Sequence, residues 1–407
     1  MGVKMTVCVV IGGGPAGMMA AYSAALKGTK VILVEKNEKL GKKIYLTGKG
    51  RCNLTNDCDE REFLDNIFEN RNFLYSAVNA LSPRNLMALL EENGLKLKTE
   101  RGFRVFPLSD KASDVTKTLS SMMAKAGVEI RLSTFVKRII CDRGEVRGVL
   151  TDKGEIKCDS VVLCAGGKSY PSTGSDGTGY FLAGEWGHTL VEPAPALTSF
   201  ISKDKWLEGL AGLSLKNVKV TIPQKGKKAA SQFGEMLFTH RGISGPIVLT
   251  LSCLQLDFPF QALIDLKPAL DEETLDERIQ RDFSELSNKE FKNSLGALMP
   301  MSLCPKMVAL TGINPETKVH QITRSQRREL VKLIKNIPVN ISGCGGFEEA
   351  IVTKGGINVK EVNPSTMESK LIKGLYFAGE VINAHGYTGG FNMHAAFCTG
   401  YLAGLNV

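Results

Sequence analysis

The chain has 407 residues, 43% hydrophobic and 23% charged, with a formal net charge of +9. The length suits two or three domains, and the balance is that of a folded globular chain, not a disordered one. No run approaches the roughly 18 apolar residues of a membrane span, and the apolar stretch at 7–14 ends in glycines with no cleavage site, so neither a membrane segment nor a signal peptide is expected.

Ten cysteines are scattered along the chain with no CxxC pair. A zinc ribbon is therefore not expected, nor any other metal site, and a reducing cytoplasmic setting is. The basic residues are dispersed, with short clusters such as 324–328, which does not favour a nucleic-acid partner.

In chain order, residues 6–11 form a continuous apolar run, the mark of a strand covered on both faces. Residues 15–27 predict a helix ending at Gly28, and 31–34 a second strand, which completes one βαβ unit. Residues 72–93 carry helical spacing, and 112–126 predict another helix capped by Ser109 or Asp110. Strands are expected at 128–132, 135–142, 145–151 and 160–165. From about residue 194 the character changes: strand-like runs fill 198–222 and 234–251, then amphipathic helices appear near 271–281 and 325–337. The glycine-rich style returns near 345, with a strand at 374–380, a loop, and a helix of small and apolar residues at 391–403. The expectation is an α/β fold with a Rossmann-type domain split in sequence (1–193 and 345–407), an inserted β-rich domain (194–265 and 336–344) and a helical subdomain (266–335).

The strongest motif is Gly12-Gly13-Gly14-Pro15-Ala16-Gly17, a GxGxxG directly after a strand. Gly12 permits the tight turn, Gly14 lets the backbone approach a pyrophosphate, and Gly17 lets the helix pack on the strand. The helix N-terminus at Pro15 and Ala16 offers free N–H groups to phosphates. Glu35, eighteen residues after Gly17, ends the second strand and can accept hydrogen bonds from a ribose. Lys36 beside it and Val136 are further candidate cofactor contacts. A 2′-phosphate would be repelled by Glu35, so this site should not take NADP.

The far end of the chain selects FAD over NAD. Gly379 permits close backbone approach, Glu380 can bind a ribityl chain, and Gly389, Gly390, Phe391 and Asn392 open a helix whose N-terminus can face the flavin pyrimidine. Ala165 and Gly166 supply a third close approach at a strand end. No second strand-linked GxGxxG exists, so NAD(P)H would dock only transiently.

These residues, with the run from Thr47-Gly48-Lys49-Gly50-Arg51-Cys52-Asn53 to Asn56, Arg104–Pro107 and Gly389–Asn392, resemble the BaiN-like and aminoacetone-oxidase-like family of bacterial flavoproteins across nearly the whole chain. The resemblance implies bound FAD, a glutathione-reductase-type cofactor domain, and an inserted domain covering the flavin. It also implies activities that differ among members: reduction of conjugated steroid enones, or oxidation of a small amine. Lys49 departs from the family, standing where a small or amide residue is usual.

For chemistry, flavin N5 carries the hydride and the protein orients it. Gly50 and Arg51 are candidate cofactor contacts, Arg51 to neutralise phosphate or reduced flavin, with a surface salt bridge as its plainer role. Asn53 is a candidate partner of the isoalloxazine edge. Cys52 invites a dithiol reading with Cys58, although a structural thiol is the plainer one. His385 and Tyr387 are the candidate general acids, and His240 is a weaker candidate from the inserted domain. The leading expectation is a reductase of a small carbonyl-conjugated substrate with NAD(P)H as donor. An O2-using amine oxidase and a basic flavoprotein binding nucleic acid remain open.

Overall fold

The computed structural model describes residues 6–224 and 226–407. The chain divides into two units. One joins the described residues through Ala196 to Phe347–Val407, and the other is Leu197–Gly346.

The first unit is built on strands β1 (Val7–Ile11), β2 (Lys30–Val34), β3 (Glu129–Arg131), β4 (Ser160–Leu163) and β5 (Leu375–Phe377). Their order is β5-β4-β1-β2-β3, and every neighbouring pair is parallel. Val9, Val10, Leu33, Val161 and Val162 are buried in this sheet, which explains why these strands are apolar at successive positions and do not alternate. Because all five run the same way, the chain leaves β1 at Gly12, β2 at Glu35, β4 at Cys164 and β5 at Ala378 along one edge of the sheet. Strands sit roughly 4.8 Å apart, so the step from β2 to β5 across two intervening strands is about 14 Å.

Helix α1 (Pro15–Leu26) starts with proline at its first position, where the missing N–H costs nothing, and Gly28 follows its end at φ +85°. It packs on helix α2 (Phe391–Leu405) through small residues: a Cβ on Gly404 would sit 2.3 Å from the Ala20 carbonyl oxygen.

Several local expectations change. The stretch 72–93 is broken into Tyr75–Ala80 and Pro83–Glu92, because Pro83 restarts the helix with Ser82 accepting from the Asn85 N–H. The helix Ala112–Lys125 has no side-chain cap; Ser109 Oγ instead accepts from the Lys111 N–H before it. The strand expected at 374–380 ends at Phe377, and Gly379–Val381 is a 3-10 turn, since Gly379 lies at φ +77°.

The second unit is a closed six-stranded barrel. Its order is Phe200–Ser202, Gly242–Ser244, Lys227–Thr239, Ser214–Gln224, Phe260–Asp265, Ile337–Cys344. Residues 246–251, expected to be strand, form the helix Pro246–Ser252, which proline opens. Helices Glu272–Glu285, Cys304–Thr311 and Arg324–Lys335 share one buried cluster with the barrel, with Leu275, Met307 and Leu330 beside Val220 and Ile264. Arg324–Lys335 starts with a reciprocal cap between Thr323 and Gln326.

Candidate cofactor and active site

The turn after β1 is packed from behind. A Cβ on Gly12 would lie 2.5 Å from the Cys164 carbonyl oxygen, and one on Gly17 would lie 1.8 Å from the Gly12 carbonyl oxygen. Gly14 differs. A Cβ there meets no protein atom within 4 Å, and its φ of −79° suits any residue. Neither packing nor backbone explains the glycine, so its open side is a cradle that a side chain would fill. It faces the start of α1, where no side chain caps the first-turn N–H groups of Ala16 and Gly17.

Glu35 is buried, and its carboxylate is held from two sides. Oε2 accepts from the Gly13 N–H (2.6 Å), while Oε1 accepts from the N–H and side-chain amide of Asn37 (both 2.7 Å). This ties the end of β2 to the glycine turn. The neighbouring Lys36 pairs with Asp176 (2.8 Å). Val136 is buried at the head of the antiparallel strand Val136–Asp142.

Glu380 follows β5 on the same sheet edge. Its Oε1 accepts from the Thr353 N–H (2.7 Å), and Oε2 pairs with Lys43 (2.5 Å). Gly166 lies at φ +75°, and a Cβ there would meet Ser175 Oγ at 2.7 Å. The Tyr180 hydroxyl is buried in this neighbourhood with no hydrogen-bond partner among the described residues, and burial beside the Glu380 charge pushes its pKa up. Sequence reasoning missed Lys43, Thr353 and Tyr180, since no motif marks them.

The Gly-Arg-Cys-Asn element sits at the N-terminus of α2. The Asn53 amide donates to the carbonyls of Thr55 (3.1 Å) and Val105 (3.2 Å) and accepts from the Gly390 N–H (3.0 Å). Expected as a partner of the isoalloxazine edge, its amide makes these three contacts to the protein, and they staple the loop to the helix. Gly390 is needed because a Cβ there would lie 2.3 Å from the Thr55 carbonyl oxygen. Gly389, at φ +127°, accepts from the Asn56 side-chain amide at 3.1 Å. Asn392 holds the preceding loop, accepting from the Gly386 N–H (2.7 Å) and donating to the carbonyls of Gly386 (2.8 Å) and Tyr387 (3.1 Å). Phe391 is buried against Phe63.

Arg51 takes the plainer of its two roles. Its guanidinium pairs with Glu100 (2.8 Å) and Asp110 (3.3 Å) and lies 4.1 Å over the Phe106 ring. Glu100 and Asp110 are shared with Lys98. Two carboxylates and an aromatic face thus hold this cation, the surface salt bridge expected as its plainer role. Gly50, beside it, is exposed at φ +87°.

The dithiol reading of Cys52 and Cys58 also fails. Both thiols are free and buried, and desolvation pushes each up to about 12. A thiol held that high is a poor source of the thiolate that exchange chemistry needs.

His385 is buried to 1% exposure, with Nδ1 3.7 Å from Glu69 and its ring 5.5 Å from that of Phe68. Tyr387 is half-buried, edge-on to the same Phe68. His240 is exposed in the second unit. A histidine that sequence reasoning passed over, His394, lies wholly buried on α2 between Thr55 Oγ1 (3.1 Å) and the Leu81 carbonyl (3.1 Å). Burial holds it neutral, with its pKa lowered to about 3. The Nε2–H donates to Leu81 and Nδ1 accepts from Thr55, which pins α2 to the segment bearing Asn53 and Asn56. Among the described residues no group of three or more His, Cys, Asp or Glu could hold a metal ion, and no helix is long and apolar enough to cross a membrane.

Residues 6–406 match the family described as HI0933-like protein Rossmann domain. Similar over full length are a 3-dehydro-bile acid delta(4,6)-reductase of Clostridium scindens, 30% identical over 403 residues and 97% of each chain, and a ribosomal RNA dihydrouridine synthase of Haemophilus influenzae, 30% identical over 409 residues and 98% of each chain. A 3-ketosteroid-delta4-(5alpha)-dehydrogenase from Rhodococcus jostii RHA1 shares the fold, with a TM-score of 0.54 at 16% identity over 100% of this chain and 97% of that one. The chain belongs to the HI0933-like family, and it is an FAD-dependent oxidoreductase.

Proposed function

We propose that the protein reduces a carbon–carbon double bond conjugated with a carbonyl, with NAD(P)H docking transiently as donor. The activities named for the two full-length relatives share this chemistry. A 3-oxo steroid with a neighbouring double bond and a uracil ring with its C5–C6 double bond both accept hydride at the carbon β to a carbonyl. Bound FAD supplies the hydride-carrying N5.

The residues act around that group. The cradle at Gly14 and the uncapped start of α1 receive the pyrophosphate; this open glycine is the observation that carries the cofactor placement. Glu35, held by Gly13 and Asn37, presents its remaining lone pairs to the adenosine ribose. Glu380 and Tyr180 border the ribityl chain. The first turn of α2, behind Gly389 and Gly390, would offer N–H groups and its positive end to the flavin pyrimidine. Tyr387 is the better proton donor of the two candidates, because His385 is closed off by its burial. The ten free cysteines support a reducing, cytoplasmic setting.

The test is an anaerobic titration of the yellow protein. NADH or NADPH should bleach the flavin, and a 3-oxo-4-ene steroid acid or a uridine-containing RNA should restore its colour. Bleaching by a small amine with peroxide release, and no reoxidation by either unsaturated compound, would remove this reading.

A further inference from the structure

Six cations lie between residues 36 and 51, the segment that runs from the end of β2 to the staple at α2. Five are committed. Lys36 pairs with Asp176, Lys42 with Glu38, Lys43 with Glu380, and Arg51 with Glu100 and Asp110, while Lys39 lies over the Tyr45 ring. Lys49 is exposed and, among the described residues, takes part in none of these ion pairs. Its backbone is also unusual. Lys49 adopts φ 58°, ψ 44°, directly after Gly48 in the same left-handed region. An L-residue other than glycine, asparagine or aspartate rarely stays there unless its surroundings hold it. The turn is closed behind it by the Arg51 N–H and Cys52 N–H donating to the carbonyls of Gly48 and Thr47, so Lys49 and Gly50 form the tip.

The tip has a defined address. At one end of its segment Lys43 holds Glu380. At the other, a Cβ on Gly48 would sit 3.1 Å from the Asn53 nitrogen, and the Asn53 side chain accepts from the Gly390 N–H at the start of α2. The segment therefore runs from Glu380 to the start of α2, the groups proposed above for the ribityl chain and the pyrimidine.

We propose that Lys49 is a specificity-determining residue that binds an anionic group of the substrate, a carboxylate or a phosphate, remote from the double bond being reduced. An exposed lysine with no ion pair among the described residues, held at a left-handed turn beside the proposed cofactor groups, is placed to meet charge carried by an incoming molecule. The cofactor's own phosphates are provided for by α1. The proposal rests on the reading that the site reduces a carbonyl-conjugated double bond.

The experiment titrates oxidised, FAD-loaded protein and reads the shift of the flavin absorbance bands, so it needs no turnover. Two matched pairs are used: a 3-oxo-4-ene steroid with a side-chain carboxylate against its methyl ester, and a uridine-containing oligoribonucleotide against uridine. The wild type should bind the charged member of one pair about tenfold tighter, the scale of one partly exposed charge-assisted contact. The pair that shows the preference identifies the anion as carboxylate or phosphate. Lys49→Asn, which tolerates the left-handed backbone, should abolish the preference, and Lys49→Arg should keep it. A preference that persists in Lys49→Asn, or is absent from the wild type, overturns the proposal and leaves the reductase reading standing. Loss of FAD from folded Lys49→Asn also overturns it, by assigning the charge to the cofactor. If no compound of either pair perturbs the flavin, the substrate reading falls and takes this one with it.

Discussion

Gly400 of α2 lies so close to Ala16 of α1 that a Cβ at position 400 would stand 2.1 Å from the Ala16 carbonyl oxygen. This contact joins the two ends of the chain. Ala16 lies in the first turn of the helix after the glycine turn, and Gly400 belongs to the helix that follows Gly389 and Gly390. The approach is backbone on backbone, so neither partner can yield by changing rotamer.

Gly400→Ala should therefore destabilise the protein by about 1–3 kcal/mol, as overpacking of a tight contact does, and lower its FAD content by shifting α2. Gly184→Ala is the control. Its Cβ would meet nothing within 4 Å, and the change in stability should be near zero or favourable by about 0.4–1 kcal/mol. Urea unfolding of both variants decides the matter. A Gly400→Ala protein as stable as the control would show that the helices are not in this contact.

Gly14→Ala separates cofactor binding from folding. The added methyl clashes with no protein atom and the backbone is ordinary there, so apo-protein stability should change by less than about 1 kcal/mol. FAD affinity should fall at least tenfold, because the methyl enters the space assigned to the pyrophosphate. Fluorescence quenching of titrated FAD gives the dissociation constant. Equal affinity in the two proteins would displace the phosphate site.

His394 predicts an acid-side loss of stability. Its pKa is about 6.5 in the unfolded chain and is lowered to about 3 by burial in the fold. The unfolded state thus binds the extra proton first as pH falls. The contribution of this residue is fully present above pH 6.5 and is lost below it, at up to about 1.4 kcal/mol per pH unit. Urea unfolding between pH 7 and pH 5 should show this slope, and His394→Gln should reduce it by about one proton. An unchanged slope in the variant would mean that the ring titrates normally.

Cys52 and Cys58 should be inert in the native protein. With both thiols pushed up to about 12 by burial, iodoacetamide at pH 8 should leave them unlabelled until denaturant is added. Peptide mass spectrometry reads the outcome, and rapid native labelling of either would reopen the dithiol mechanism.

The phosphate turn was readable because its logic is local. Gly12, Gly14, Gly17 and Glu35 lie within one βαβ unit, and the geometry of strand, turn and helix sets their spacing whatever the rest of the chain does. The strand order was not readable, because parallel neighbours such as β4 and β5 are separated by more than 200 residues and many partners share the same apolar pattern. The boundary errors have local causes: Pro83 broke one helix, and Gly379 ended one strand early.

By itself, then, the sequence determined the cofactor class and the βαβ unit that brings Glu35 to the glycine turn. Tertiary structure alone decided the employment of the polar side chains. Arg51 and Asn53, which look like ligand contacts in the sequence, also hold the protein together, one through Glu100 and Asp110, the other through Gly390. Lys43, Tyr180 and His394 carried no motif, yet the fold sets the first two beside Glu380 and the third against Thr55. The reason is physical. A polar group takes whichever partner the fold brings within about 3 Å, and that choice is made among residues far apart in the chain.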